Sequence, residues 1–103
     1  MKMKMKMKMN KEEIMTIKEL SEMEGRVYVH LANAEKAKKF LRQAEEEGFT
    51  FRDGARPTER ECAEVMAVNH DHTINYVGFA GHVAYGSGAD KIDDEKLIRI
   101  EYE

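Results

Sequence analysis

The sequence predicts an α+β fold: a small, mainly antiparallel sheet of three to five strands with one amphipathic helix packed on one face. Three observations lead there. The β-branched run Arg26-Val-Tyr-Val-His30 precedes a strongly amphipathic stretch, Asn33 to Glu47, which stops at Gly48. Two further strand-like runs flank an arginine-bearing loop, Arg52-Asp-Gly-Ala-Arg56-Pro-Thr-Glu-Arg60. With 103 residues, the chain has length for one domain and one modest core. The expected organisation is a mobile, low-complexity Met-Lys leader at 1–10 followed by a single α+β domain at 11–103.

Each element has a local reason. Ile14, Ile17, Leu20 and Met23 recur at intervals of three, Thr16 and Glu19 have capping-box spacing, and Gly25 is placed to end that short helix. Val27, Val29 and Leu31 alternate with Tyr28 and His30, the pattern of a half-buried strand. Asn33 is a good N-cap, and Ala34, Ala37, Phe40, Leu41 and Ala44 share one helical face behind it. The acidic end of that helix, Glu45-Glu46-Glu47, opposes the helix dipole, so packing must hold the last turn. Phe49 to Arg52 reads as a short strand and Asp53-Gly54 as a turn. Thr58-Glu-Arg-Glu61, just after Pro57, has the form of a second capping box opening one or two helical turns. Val65–Val68 and Ile74–Phe79 make a hairpin joined by the polar segment Asn69–Thr73. The glycines at 78, 81, 86 and 88 mark a bend or bulge in or after the second strand. Leu97–Tyr102 closes the chain as an edge strand.

Charge narrows the functions. The chain has 17 basic and 20 acidic residues, a net charge of −3. Four of the lysines belong to the leader, which leaves 13 basic against 20 acidic residues, a balance of −7. Phosphate contacts need a basic surface, so general nucleic-acid binding is not expected. A basic protein surface is a better match. No apolar run approaches the ~20 residues of a membrane span. The leader lacks the continuous apolar core of a signal peptide. The single cysteine, Cys62, excludes an internal disulfide and fits a reducing compartment, so the expected location is the cytoplasm of a bacterial host cell.

Chemistry is concentrated in the loop. Arg52, Arg56 and Arg60 bracket a glycine-containing connection that opens a helix, and guanidinium forks there suit a phosphate or carboxylate. Tyr76 and Tyr85 are the candidate stacking surface for such a ligand. Asp53, Glu59 and Glu61 offer the competing reading, local neutralisation of the same arginines, and no GxxxxGK[ST] phosphate loop occurs. His70, His72 and His82 are weaker candidates for metal ligands, because His70 and His72 lie in a connection where polar residues are expected and spacing places no third ligand. No metal or cofactor is therefore expected. Glu59, Glu61 and Glu64 surround Cys62, and nearby anions disfavour a thiolate nucleophile. Glu45–Glu47 with Asp90, Asp93, Asp94 and Glu95 reads as solvated surface, or as a phosphate-backbone mimic if contiguous.

The strings Ala37-x-x-Phe40-Leu-x-x-Ala44-x-x-Glu47-Gly-Phe49, Asp53-Gly54 and Asp71-x-Thr73-Ile-x-Tyr76-Val-Gly78 carry a resemblance. Together with a closing Lys91-Ile-Asp93-x-Glu95-Lys96 segment, they resemble short uncharacterised accessory proteins of phages and other mobile elements of Gram-positive gut bacteria. The likeness spans roughly Val27 to Gly86, and its motifs are structural, not catalytic. It implies a protein that binds and neutralises a host component, including a defence system, and lends no site residues. The function expected is a non-enzymatic binding protein that occupies a host protein surface or sequesters an anionic, phosphorylated small molecule. A second copy of the chain is a further candidate partner. The alternative is a small metal-dependent or hydrolytic enzyme using His70, His72 or His82.

Overall fold

The computed structural model describes residues 16–92 and 94–102. The Met-Lys leader lies outside the described residues. The elements run in the order α1 (Ile17–Ser21), β1 (Arg26–His30), α2 (Ala34–Glu46), β2 (Thr50–Phe51), a 3-10 turn (Pro57–Glu59), β3 (Val65–Val68), β4 (Thr73–Tyr76), α3 (Gly78–Ser87), β5 (Lys91–Ile92) and β6 (Glu95–Glu101). The six strands form one sheet in the order β2-β4-β3-β1-β6-β5. The α+β class is therefore as the sequence predicts, but the sheet has more strands than expected and is mixed. β1 pairs antiparallel with β3 (Val27 with Val68) and parallel with β6 (Val27 with Ile98). β2 and β4 are also parallel, Phe51 lying beside Ile74.

Strand alternation divides the core in two. Val27 and Val29 of β1 join Ile17, Phe40, Met66 and Ile74 beneath α1 and α2. Tyr28, between them in sequence, joins Val65, Ala67 and Leu97 on the opposite face, which α3 covers. The larger layer centres on Phe40, fully buried and edge-on to Tyr102 with ring centroids 5.5 Å apart. α2 begins where Asn33 accepts a hydrogen bond from the Lys36 amide, 2.9 Å. α1 has both capping-box bonds of Thr16 and Glu19 but stops at Ser21, short of Gly25. Gly25 serves a different purpose: a Cβ there would stand 2.5 Å from the Lys96 carbonyl oxygen of β6.

Three other expectations are corrected. The strand expected through Phe79 ends at Tyr76, and the glycine-rich segment is a ten-residue helix, α3, instead of a bend. The second capping box gives way to a half-box two residues earlier: the Glu59 carboxylate accepts from the Arg56 amide (3.0 Å), while the Thr58 hydroxyl is drawn to Glu45 across the turn (2.6 Å). The closing strand is not an edge, because the short β5 adds outside it through Ile92 and Glu95.

Candidate functional site

The three loop arginines do not share a site. Arg56 lies 3.2 Å from the Glu59 carboxylate, and Arg60 donates to Asp53 at 2.5 Å while its guanidinium lies 5.1 Å from the Phe51 ring centroid. Those guanidinium groups hold the Asp53 and Glu59 carboxyls below their usual range. For Asp53 the leading cause is the Arg60 hydrogen bond; for Glu59 it is the Arg56 amide. Arg52 lines two polar depressions with Arg26 and Asn69, and the groove that Arg60 lines is a different one. The competing reading of the sequence, local neutralisation, describes Arg56 and Arg60.

The aromatic candidates are separated by the sheet. Tyr76 packs on Phe51 (5.6 Å) and donates its hydroxyl to the Glu61 carbonyl (2.6 Å). Tyr85 belongs to the α3 layer, stacked on His30 at 5.9 Å with the Arg99 guanidinium 5.5 Å from its centroid. Arg99 also donates to the Tyr85 and Ala84 carbonyls, 3.1 and 2.9 Å, which satisfies the C-terminal end of α3. The histidines serve separate ends. His70 Nδ1 lies 2.6 Å from the Ser21 carbonyl oxygen, His72 packs on Phe49 at 5.0 Å, and His82 is exposed on α3. Among the described residues no group of three or more His, Cys, Asp or Glu is arranged to hold a metal.

Two of the clustered acids are structural. Glu47 accepts from the amides of Ile17 (3.1 Å) and Lys18 (2.7 Å), so it caps α1 from the far end of α2. Glu45 holds the amide and hydroxyl of Thr58, and those bonds lower its carboxyl pKa. The acidic end of α2 therefore binds the rest of the chain, and a continuous phosphate mimic is not formed there.

A concavity lies between α2 and residues 57–62. Its volume is about 580 Å³, within the range of small-ligand pockets. Ala34, Ala37, Leu41 and Cys62 give it an apolar floor, and Lys38, Arg42 and Arg60 stand on its rim with Glu61. No described carboxylate pairs with Lys38 or Arg42. Burial pushes the Cys62 thiol up to about 12, so this floor residue remains a protonated thiol near neutral pH. Lys38 and Arg42 lie outside the apolar face of Ala34, Ala37, Phe40, Leu41 and Ala44 that the sequence marks on α2. Their i, i+4 spacing was visible, but that the 57–62 segment would wall them in was not. The chain is thus a small α+β domain with a cation-rimmed apolar groove. No protein-family model, curated protein or solved structure matches it. No described helix is long and apolar enough to cross a membrane.

Proposed function

We propose that this chain is a small binding protein of a phage or mobile element. It antagonises a host component by sequestering an anionic ligand with an apolar or aromatic part in the groove between α2 and residues 57–62. The observation that carries this reading is the pair Lys38 and Arg42, one helical turn apart over the floor of Ala37, Leu41 and Cys62 and paired with no described carboxylate. A phosphorylated nucleotide has the complementary halves: charge for the guanidinium and ammonium groups, and a flat apolar face for the floor. Of the loop arginines, Arg60 alone lines this groove, and Tyr76 reaches its vicinity through the shared Phe51 ring.

Calorimetry with cyclic and ADP-ribose-type nucleotides tests it. A bound nucleotide should lose affinity by about ten-fold or more in Lys38→Ala/Arg42→Ala. The absence of binding heat across the panel, or an affinity unchanged in the double variant, removes the groove as the site. A second reading, occupation of a basic host surface, draws on the acidic balance of the chain outside the leader. Association of that kind weakens steeply with added salt; salt-insensitive association speaks against it.

A further inference from the structure

We infer that the α3 side of the sheet holds a second, smaller site, which takes a free hydrogen-phosphate ion between Arg26, Arg52 and the Tyr28 hydroxyl. The site follows from strand register. Tyr28 pairs with Ala67, Ala67 with Asn75, and Phe51 with Ile74, so Arg52 comes one step further, beside Asn75. These positions make one row across β1, β3, β4 and the end of β2, on the face away from α2. Arg26 stands two residues before Tyr28 on that same face. The two arginines therefore start from opposite sides of four adjacent strands, yet both line one depression of about 170 Å³. The start of α3, which has no side-chain cap, borders it at Val77. At ~30 Å³ per water, that volume has room for a phosphate ion with a water or two, and it is below the range of pockets for larger ligands.

Two observations point to an oxyanion. First, no Asp or Glu lines the depression, although the chain has 20 of them. Glu95, which lies 2.8 Å from Arg26 Nε, and Asp71 line the neighbouring depression instead. Two guanidinium groups thus border one acid-free hollow, where an anion between them offsets their repulsion. Second, Tyr28 is a polar side chain only 3% exposed, and it lines the same hollow. Arg26 is its hydrogen-bond partner; a guanidinium can only donate, so the phenol oxygen accepts in that pair. Among the described residues nothing accepts the phenol's own proton. A buried hydroxyl left that way is costly, and an oxyanion between the arginines is the acceptor it lacks. Asn69 then selects the kind of oxyanion. Both its amide hydrogens are spent, on Thr73 Oγ1 (3.0 Å) and Asn75 Oδ1 (2.7 Å), so it offers the depression only its carbonyl oxygen. An acceptor beside two cations suits an ion that still carries a proton. Inorganic phosphate does so near neutral pH, whereas sulfate does not and a phosphomonoester gives up its last proton at about pH 6.

This site lies across the sheet from the groove beside α2, so Lys38→Ala/Arg42→Ala leaves it intact and the two readings fail separately. Amide NMR spectra of the full chain, titrated with inorganic phosphate at constant ionic strength and about pH 7.5, should show saturable shifts around Tyr28, Asn75 and Val77 with a Kd on the order of 1 mM. Sulfate and glycerol phosphate should each bind at least about five-fold more weakly under the same conditions. Arg52→Ala should weaken phosphate at least about ten-fold and Tyr28→Phe at least about three-fold, with the circular dichroism spectrum retained. Arg56→Ala, which removes a guanidinium of the same loop that is paired with Glu59, should stay within about two-fold of wild type. The absence of saturable shifts up to about 50 mM phosphate overturns the proposal and leaves water as the acceptor for Tyr28. An affinity unchanged in Arg52→Ala overturns it too, and sulfate or glycerol phosphate binding as tightly as inorganic phosphate overturns the assignment to a hydrogen-phosphate ion.

Discussion

His30 sits between two carboxylates, its Nδ1 2.8 Å from Glu101 and its Nε2 3.1 Å from Glu64. The hydrogen bond to Glu101, followed by that to Glu64, raises its pKa above the usual 6.5. The folded chain therefore holds this proton more tightly than the unfolded chain. The stability it contributes is fully present below about pH 6.5 and is lost as pH rises through the folded value. Urea unfolding of wild type and His30→Gln between about pH 5 and pH 9 should show the wild-type advantage shrinking with rising pH; a constant difference would show that the proton is not linked to folding. Glu47 makes a second single-residue prediction. Glu47→Ala leaves the Ile17 and Lys18 amides without their acceptor, at a cost of about 1–2 kcal/mol measured by chemical denaturation. Neither role was legible in the sequence, because His30 meets Glu101 and Glu47 meets Ile17 only after the chain has folded back over many residues. The Thr16–Glu19 capping box was legible, since both partners lie within one turn.

At the scale of elements, legibility followed local periodicity. α2 announces itself through the Asn33 cap, the Ala37–Phe40–Leu41–Ala44 face and Gly48, and β1 through strict alternation. α3 announces nothing: it has no polar face set against an apolar one, holds four glycines within Gly78–Gly88 and has no side-chain cap at its start. Its helicity comes from packing over Tyr28 and Val77 and from Arg99 at its C-terminal carbonyls, contacts that a window of sequence cannot show. Its glycines separate the two influences. Gly81→Ala drives a Cβ into Val77 and should destabilise the chain by about 1–3 kcal/mol. Gly86→Ala fills open space in the last turn of α3 and should stabilise the chain slightly, by about 0.5 kcal/mol at most. Thermal melts at low concentration read both signs, and equal effects at the two positions would mean that α3 does not lie against β1 as described. The cation-rimmed groove belongs to this scale too. Its residues come from α2 and from the 57–62 segment, so the three arginines adjacent in sequence were a poor guide to which cations share a wall.

For the whole molecule, the sheet's centre is β1, held between β3 and β6. Parallel β1–β6 pairing was invisible in the sequence because a strand's pattern reports its faces and not its neighbours. β6 supplies Leu97 to the core beneath α3 and Ile98 and Ile100 to the core beneath α2, and Tyr102 follows it against Phe40. Removing residues 95–103 should therefore abolish the cooperative unfolding transition; a truncated chain that still melts sharply would place the main stability in α2 and the antiparallel strands alone. The register of this central pair, Arg26 beside Leu97, has a kinetic consequence. Closing so long a stretch of chain precedes any reward from the contact, which makes it a late step on the folding path. During synthesis, one border of β1 stays unpaired until the final strand has left the ribosome. Earlier nascent chains expose that border to any extended segment nearby, and they are where a holding chaperone would be needed most.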